Sequence, residues 1–263
     1  MIGALLGDIV GSVYENNPTK STEFILFSDH SHYTDESVLT LAVADSLVHF
    51  QGYQANLRKY AKAYADVPGG FGSNFKFWVY TGGQDPYNSM GIGPAARVSP
   101  IGWAFNDLNT TLTEAEKSAR ATHSHLEAIK GAIAIAHSIY LGRTGFPLLE
   151  TKKLLSDSYG YNLSHYLDDL RTVQLFEQTA PEIVPRALVS VLEARTTEDA
   201  IRNAISLGCS SNTIASLAGA VAEAFFGVPD HLKQETLKRL PEPFLNIMAI
   251  FREQHTSQIL LGA

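Results

Sequence analysis

Ser206-Leu-Gly-Cys-Ser-Ser-Asn-Thr-Ile-Ala-Ser-Leu-Ala-Gly-Ala-Val-Ala-Glu-Ala-Phe-Phe226 has two halves. From Ile214 on, apolar residues fall at Ile214, Leu217, Ala218, Val221, Ala222 and Phe225, the i, i+3, i+4, i+7 stripe of a helix. The faces between them carry Ala215, Ser216, Gly219 and Ala220. A helix that is small or apolar all round belongs in the centre of a fold, with neighbours packed closely on every side. In front of it lies Gly208-Cys-Ser-Ser-Asn-Thr213. Ser, Asn and Thr are residues that cap a helix start, where free N–H groups and the dipole favour anions. Two readings of the loop stand side by side: an ordinary cap on a core helix, or half of a ligand site whose other half is an acidic cluster elsewhere.

Thr197–Ser206 reads as a capped helix that delivers the chain into this loop, and 230–239 and 242–252 as amphipathic helices that follow. Upstream, helical periodicity marks 38–50 (Leu39, Ala42, Val43, Leu47 and Phe50 inward), 54–65, a helix opened by the capping-box pattern Thr113-Glu-Ala-Glu116, 127–143 and 181–193. No stretch alternates with period two for long enough to make a strand. The expectation is an all-α fold, a compact multi-helix bundle with residues 1–263 as one domain.

The acidic candidate is Tyr33-Thr34-Asp35-Glu36-Ser37. Thr34 reads as an N-cap with two acids in the first turn, where the dipole favours them. A hydroxyl beside two carboxylates is also a hard-oxygen set of the kind Mg²⁺, Ca²⁺ and Mn²⁺ prefer. Near the start, Gly3, Gly7 and Gly11 fall four apart on a helix and make a smooth groove, with Asp8 among them. A buried Asp needs hydrogen bonds or a nearby cation. Pro68-Gly-Gly-Phe-Gly72 can bring its backbone close to a ligand. The long stretch Tyr80–Arg97 has the length of a functional loop, and its aromatic residues favour an ordered binding loop. It lacks the phosphate-binding glycine–lysine pattern. His123 and His125 read as a capping or substrate-facing pair before a metal pair.

Lys and Arg number 20 against 27 Asp and Glu, a net charge of -7, which argues against nucleic acid and anionic membranes as partners. One cysteine, Cys209, excludes an internal disulfide and points to a reducing, cytoplasmic compartment. The first ten residues lack the basic region of a signal peptide, and the most apolar run, 131–142, is too short to span a bilayer.

Several ordered motifs resemble the ADP-ribosylglycohydrolase family of the dinitrogenase-reductase-activating glycohydrolase type. They are Met1-Ile-Gly-Ala-Leu-Leu-Gly-Asp-Ile-Val-Gly-Ser-Val-Tyr-Glu15, Tyr33-Thr-Asp-Glu-Ser-Val-Leu39, Pro86–Trp103, Thr122-His-Ser-His125 and Ala200–Gly208. The resemblance covers nearly the whole chain. It implies an all-α fold with a central cleft, two Mg²⁺ ions, and cleavage of the glycosidic bond between ADP-ribose and an acceptor. It assigns Glu15, Asp35 and Glu36 to catalysis and Thr34, Asp35, Glu36, Asn212 and Thr213 to metal. It assigns Gly70, Gly72, Asn88, Ser89, Gly91, Gly93, Arg97, His123 and Ser210 to ADP-ribose or an ADP-ribosylated protein or small molecule.

The chain also departs from the family's pattern. Where the family has Gly-Gly-Asp-x-Asp-Thr, this chain has Gly208-Cys-Ser-Ser-Asn-Thr213, with neutral Ser210 and Asn212 in place of both aspartates. The family's Thr-Asp-Asp is Thr34-Asp35-Glu36, its Gly-Asn-Gly loop is Gly91-Ile92-Gly93, and Leu126 replaces a Pro after His125. With fewer carboxylates, the expected cofactor is at most one weakly held Mg²⁺, or none. The leading expectation is a hydrolase of ADP-ribosyl N- or O-glycosidic bonds with an altered metal centre. The alternatives are a pseudoenzyme that binds ADP-ribose or a nucleotide without cleaving it, and a structural or partner-binding protein that keeps only the fold. Cys209 as a nucleophile at a helix start is a further alternative.

Overall fold

The computed structural model of the chain describes residues 1–173 and 178–256. Among these residues there are fifteen α-helices and no strand, only two isolated backbone bridges. In chain order the helices are α1 (Ile2–Gly11), α2 (Asp35–Val48), α3 (Tyr53–Ala63), α4 (Ser73–Thr81) and α5 (Gly93–Ala96). They continue with α6 (Ser99–Ala104), α7 (Leu108–Arg120), α8 (Leu126–Arg143), α9 (Leu148–Tyr159) and α10 (Leu167–Thr172). The last are α11 (Ala180–Leu192), α12 (Thr197–Ile205), α13 (Ser211–Phe226), α14 (Asp230–Leu237) and α15 (Glu242–Phe251). The all-α expectation holds. The expected single domain over 1–263 extends past the described residues.

Helix α13 is the centre of the packing. Every residue from Ser211 to Ala222 is buried, and α1, α8, α11 and α12 all lie against it. Its small residues allow this. Helix α1 runs antiparallel along it, with Gly3 facing Gly219, Gly7 facing Ala215, and Gly11 facing Ser211 and Asn212. A Cβ on Gly7 would fall 1.9 Å from the carbonyl oxygen of Ala215, so the two backbones touch. A 3₁₀ turn, Ser12–Tyr14, follows α1 and carries Glu15 to the start of α13.

Three local expectations change. The helix expected over 38–50 stops at Val48; Phe50 adopts a left-handed backbone (φ 53) and is 91% exposed, so it does not extend the inward stripe. Helix α7 starts at Leu108, capped by Asp107, whose carboxylate accepts the Thr110 N–H at 2.8 Å. The pattern at Thr113–Glu116 therefore lies inside a helix already capped upstream. Helix α13 starts at Ser211, and its N-cap Ser210 sits in the left-handed region (φ 40) with no side-chain cap. Asn212 and Thr213 fall in the first turn, and their side chains are spent elsewhere.

Candidate active site

Asp8, projecting from the glycine-lined α1, is fully buried and holds the acidic segment in place. Its carboxylate accepts the Thr34 N–H at 2.8 Å and the Thr34 hydroxyl at 2.5 Å. It also accepts the Ser37 N–H at 3.1 Å and the Ser37 hydroxyl at 2.5 Å. Four donors satisfy a group that would otherwise be costly to bury. Thr34 then caps α2, its hydroxyl oxygen accepting the Glu36 N–H at 3.3 Å.

The two halves suspected from the sequence meet directly. The Asn212 amide donates to the Thr34 hydroxyl at 3.1 Å, and the Thr213 hydroxyl donates to Glu36 Oε1 at 2.6 Å. Because Thr34 gives its only hydrogen to Asp8, it can only accept from Asn212, which fixes the amide with Nδ2 toward Thr34. The start of α13 faces a carboxylate from a distant part of the chain: the N–H groups of Ser211 and Asn212 pull the Glu15 pKa down against burial. Glu15 Oε2 is buried and has no partner.

Glu15, Asp35, Glu36, Asn212 and Thr213 line one side of a cleft of about 370 Å³. Gly69–Phe75, running from the glycine turn into the first turn of α4, and Leu39 add to this wall, and Gly69 (φ +84) packs over Asp35. Burial is the larger cause that raises the carboxyl pKa values of Asp35 and Glu36; repulsion from Glu36 and Asp8 adds to it at Asp35, and repulsion from Asp8 and Glu15 adds to it at Glu36, against the Thr213 hydrogen bond. Burial raises that of Glu15 too, against the pull of the α13 N–H groups. For Asp8, burial outweighs its four donors.

The opposite wall is built on the long loop, which is pinned at two points. Tyr87 N–H bonds Thr122 O at 2.9 Å and Ser124 N–H bonds Tyr87 O at 3.0 Å; further on, Ala180 N–H bonds Met90 O at 2.8 Å. Ser89, Gly91, Ile92 and Gly93 thereby face the cleft. Arg97, at the end of α5, is fully buried and donates through Nη2 to Thr122 Oγ1 at 2.7 Å and to Ser118 O at 3.3 Å. Its Nε has no partner. Burial lowers the guanidinium to about 10, so it stays charged at neutral pH beside the acids of the facing wall. His123 lies next to it, its Nδ1 2.8 Å from Thr122 Oγ1, its ring packed on Tyr87 with centroids 4.5 Å apart. Burial and the Arg97 charge press the imidazole down to about 3.

Of the residues singled out in the sequence, Glu15, Asp35, Glu36, Gly70, Gly72, Ser89, Gly91, Gly93, Arg97, His123, Asn212 and Thr213 line this cleft. Thr34 stands just behind it, engaged with Asp8, Glu36 and Asn212. Asn88 is exposed and not among the lining residues, because the clamps at Tyr87 and Met90 turn it outward. Ser210 is buried and outside the lining as well, held in its left-handed turn. His125 caps α8 by accepting the Glu127 N–H at 3.2 Å. Cys209 lies outside the cleft, and burial pushes its thiol pKa up despite nearby Arg186 and Lys20, which removes the basis for a thiolate nucleophile. Phe71, Phe75, Tyr87, Leu39 and Gln178 also line the cleft and were not singled out. The aromatic residues flanking the Gly69–Gly72 turn were the visible signal for Phe71 and Phe75.

Among the described residues no three His, Cys, Asp or Glu side chains converge on a point that could hold a metal ion. Thr34 is fully committed, Asn212 turns its amide nitrogen inward, and Glu36 Oε1 already takes the Thr213 hydroxyl. Mg²⁺ needs about six oxygen ligands. Asp35 and the Glu36 oxygen not taken by Thr213 are hard-oxygen groups on this wall.

Comparison with known proteins agrees on the family. The family model for ADP-ribosylglycohydrolase matches residues 1–258. The chain is similar to ADP-ribosylhydrolase ARH3 of Mus musculus, 26% identical over 315 aligned residues, covering 89% of this chain and 85% of the relative. It is 25% identical to ADP-ribosylhydrolase ARH3 of Homo sapiens, covering 89% and 87%. A solved structure titled ADP-ribosylglycohydrolase-related protein complex superposes with a TM-score of 0.67 at 22% identity, over 96% of this chain and 97% of that one.

Proposed function

The chain belongs to the ADP-ribosylglycohydrolase family, and on that premise we propose that it hydrolyses an ADP-ribosyl N- or O-glycosidic bond with a reduced metal centre. The observation that supports this most is Glu15. Its carboxylate lies toward the N–H groups of Ser211 and Asn212, its Oε2 is buried without a hydrogen-bond partner, and the residue lines the cleft. A raised carboxyl pKa brings such a group nearer working pH, which suits a general base. In this reading Glu15, with Asp35 as the alternative base, takes a proton from a water molecule. The water oxygen bonds to the anomeric carbon as the glycosidic bond breaks, and the proton passes to the leaving acceptor. Arg97, His123, Ser89, Gly91 and Gly93 hold the ADP-ribosyl part on the facing wall. A bound Mg²⁺, held by Asp35 and Glu36, would supply Lewis-acid polarisation of the ribose hydroxyls.

ADP-ribosylated proteins or small molecules are the substrate class, in a cytoplasmic setting. No helix among the described residues is long and apolar enough to cross a membrane. A second reading is favoured by the direct Asn212–Thr34 and Thr213–Glu36 bonds, which close the centre with neutral donors. It makes the protein a binder of ADP-ribose that does not cleave it.

Calorimetric titration of the metal-stripped protein with Mg²⁺ and then ADP-ribose separates the readings. It is followed by turnover of ADP-ribosyl-arginine and ADP-ribosyl-serine peptides. Hydrolysis abolished by Glu15→Gln supports the enzyme. ADP-ribose binding with no turnover of either peptide supports the binder. Absence of ADP-ribose binding rejects both.

A further inference from the structure

Thr122 stands between a group that can only donate and a group that can do either. The Arg97 guanidinium has no acceptor and keeps its protons, so Thr122 Oγ1, 2.7 Å from Nη2, must accept there. The hydroxyl has one hydrogen to give, and the His123 Nδ1 lies 2.8 Å away. Thr122 is completely buried, so an undirected hydroxyl hydrogen would be costly. The Tyr87 phenol, the other polar group facing Thr122, is a weaker acceptor than an imidazole nitrogen. The hydrogen goes to Nδ1, which therefore carries no proton of its own. The ring proton is on Nε2.

Nε2 is the end of the ring that meets the cleft. A Cβ on Gly91 would lie 3.5 Å from it, and one on Gly93 would lie 3.9 Å from Cε1, so two glycines leave the approach open. The ring itself is held by Tyr87 at a centroid distance of 4.5 Å.

We propose that Arg97 and Thr122 are positioning residues that lock His123 as a neutral imidazole protonated on Nε2, a fixed hydrogen-bond donor to an acceptor oxygen of the ligand in this cleft. Burial and the Arg97 charge, which keep the ring from taking a second proton, act in the same direction. The donor role rests on the ADP-ribose reading above; the tautomer does not.

The test is a long-range ¹H–¹⁵N correlation of the histidine rings at pH 7 on the full chain, with His123→Gln identifying the signal. The expected pattern is a protonated Nε2 and a bare Nδ1. A protonated Nδ1, or a doubly protonated ring, overturns the lock. Thr122→Val and Thr122→Ser are then compared. The Val variant is expected to mix tautomers and to weaken ADP-ribose binding about 10-fold, the scale of one hydrogen bond. The Ser variant, which keeps the hydroxyl, restores both. A Ser variant that behaves like the Val variant overturns the positioning role. Should Thr122→Val fail to fold, the wild-type spectrum and the Ser variant still decide. If wild-type protein does not bind ADP-ribose, the ligand reading fails, while the spectrum alone judges the tautomer.

Discussion

The side-chain amide of Asn212, in the first turn of α13, donates to the hydroxyl of Thr34 at 3.1 Å. A neutral donor thus closes the contact between the acidic segment and the central helix. Beside it the Thr213 hydroxyl does the same for Glu36.

Asn212→Asp should break this contact. It removes the donor and adds a carboxylate beside Asp8, Glu15, Asp35 and Glu36. In metal-free buffer the expected loss is about 1–3 kcal/mol, the cost of an unsatisfied buried group. Mg²⁺ should recover part of it. Thermal melts in chelator and in Mg²⁺ read both effects. A variant as stable as wild type in chelator contradicts the role given to the Asn212–Thr34 bond.

Stability should fall as pH rises. Burial and repulsion raise Asp35 and Glu36 above their unfolded values, so the fold favours their protonated forms. That contribution is fully present below about 4, the unfolded carboxylate range, and is lost as pH climbs through the folded values. The window reaches about 7 for Glu36 and continues higher for Asp35. Melting temperatures of metal-free protein should therefore decline from pH 5 toward pH 8.5, and Glu36→Gln should make the decline shallower. A flat profile in wild type would argue against the raised pair.

Gly7→Ala should be severe for its size. Its Cβ would fall 1.9 Å from the Ala215 carbonyl oxygen, and neither backbone can yield without parting α1 from α13. The expected cost is about 3 kcal/mol, the upper end for overpacking. Gly52→Ala, where nothing lies within 4 Å, should stay within about 0.5 kcal/mol of wild type. Urea denaturation of the two variants makes the comparison, and equal midpoints would count against backbone contact.

Cys209→Ala should leave any hydrolysis unchanged, since the thiol lies outside the cleft and burial raises its pKa. Assayed on ADP-ribosyl peptides, a large loss of turnover would reopen the nucleophile reading.

The helices were legible because their stripes are local, and α13 announced its central place through small residues on every face. Glu15, the Thr34–Glu36 run and Asn212–Thr213 were legible as motifs. Their joining was not. Asp8 could be seen only as a buried acid in need of partners, since Thr34 and Ser37 reach it through tertiary packing. The Ser, Asn and Thr at the start of α13 suggest a local cap, whereas the carboxylate that its first N–H groups act on, Glu15, comes from the end of another element. At α7 the local Thr113 pattern competed with Asp107 and lost. The direction of Asn88 depends on backbone bonds to Thr122 and Ala180, which no short-range pattern encodes.

The glycine seam between α1 and α13 works as a ruler. Gly3, Gly7 and Gly11 meet Gly219, Ala215 and Ser211 backbone to backbone, so the helices cannot slide along or rotate about each other without collision. Asp8 and Glu15 ride on one side of that ruler, Asn212 and Thr213 on the other. The spacing along this seam rests mainly on residues without functional groups, Gly3, Gly7, Gly11, Ala215 and Gly219. Chemistry is assigned to residues that bear little of the alignment. Such a division lets the reactive positions change identity while their spacing is inherited intact.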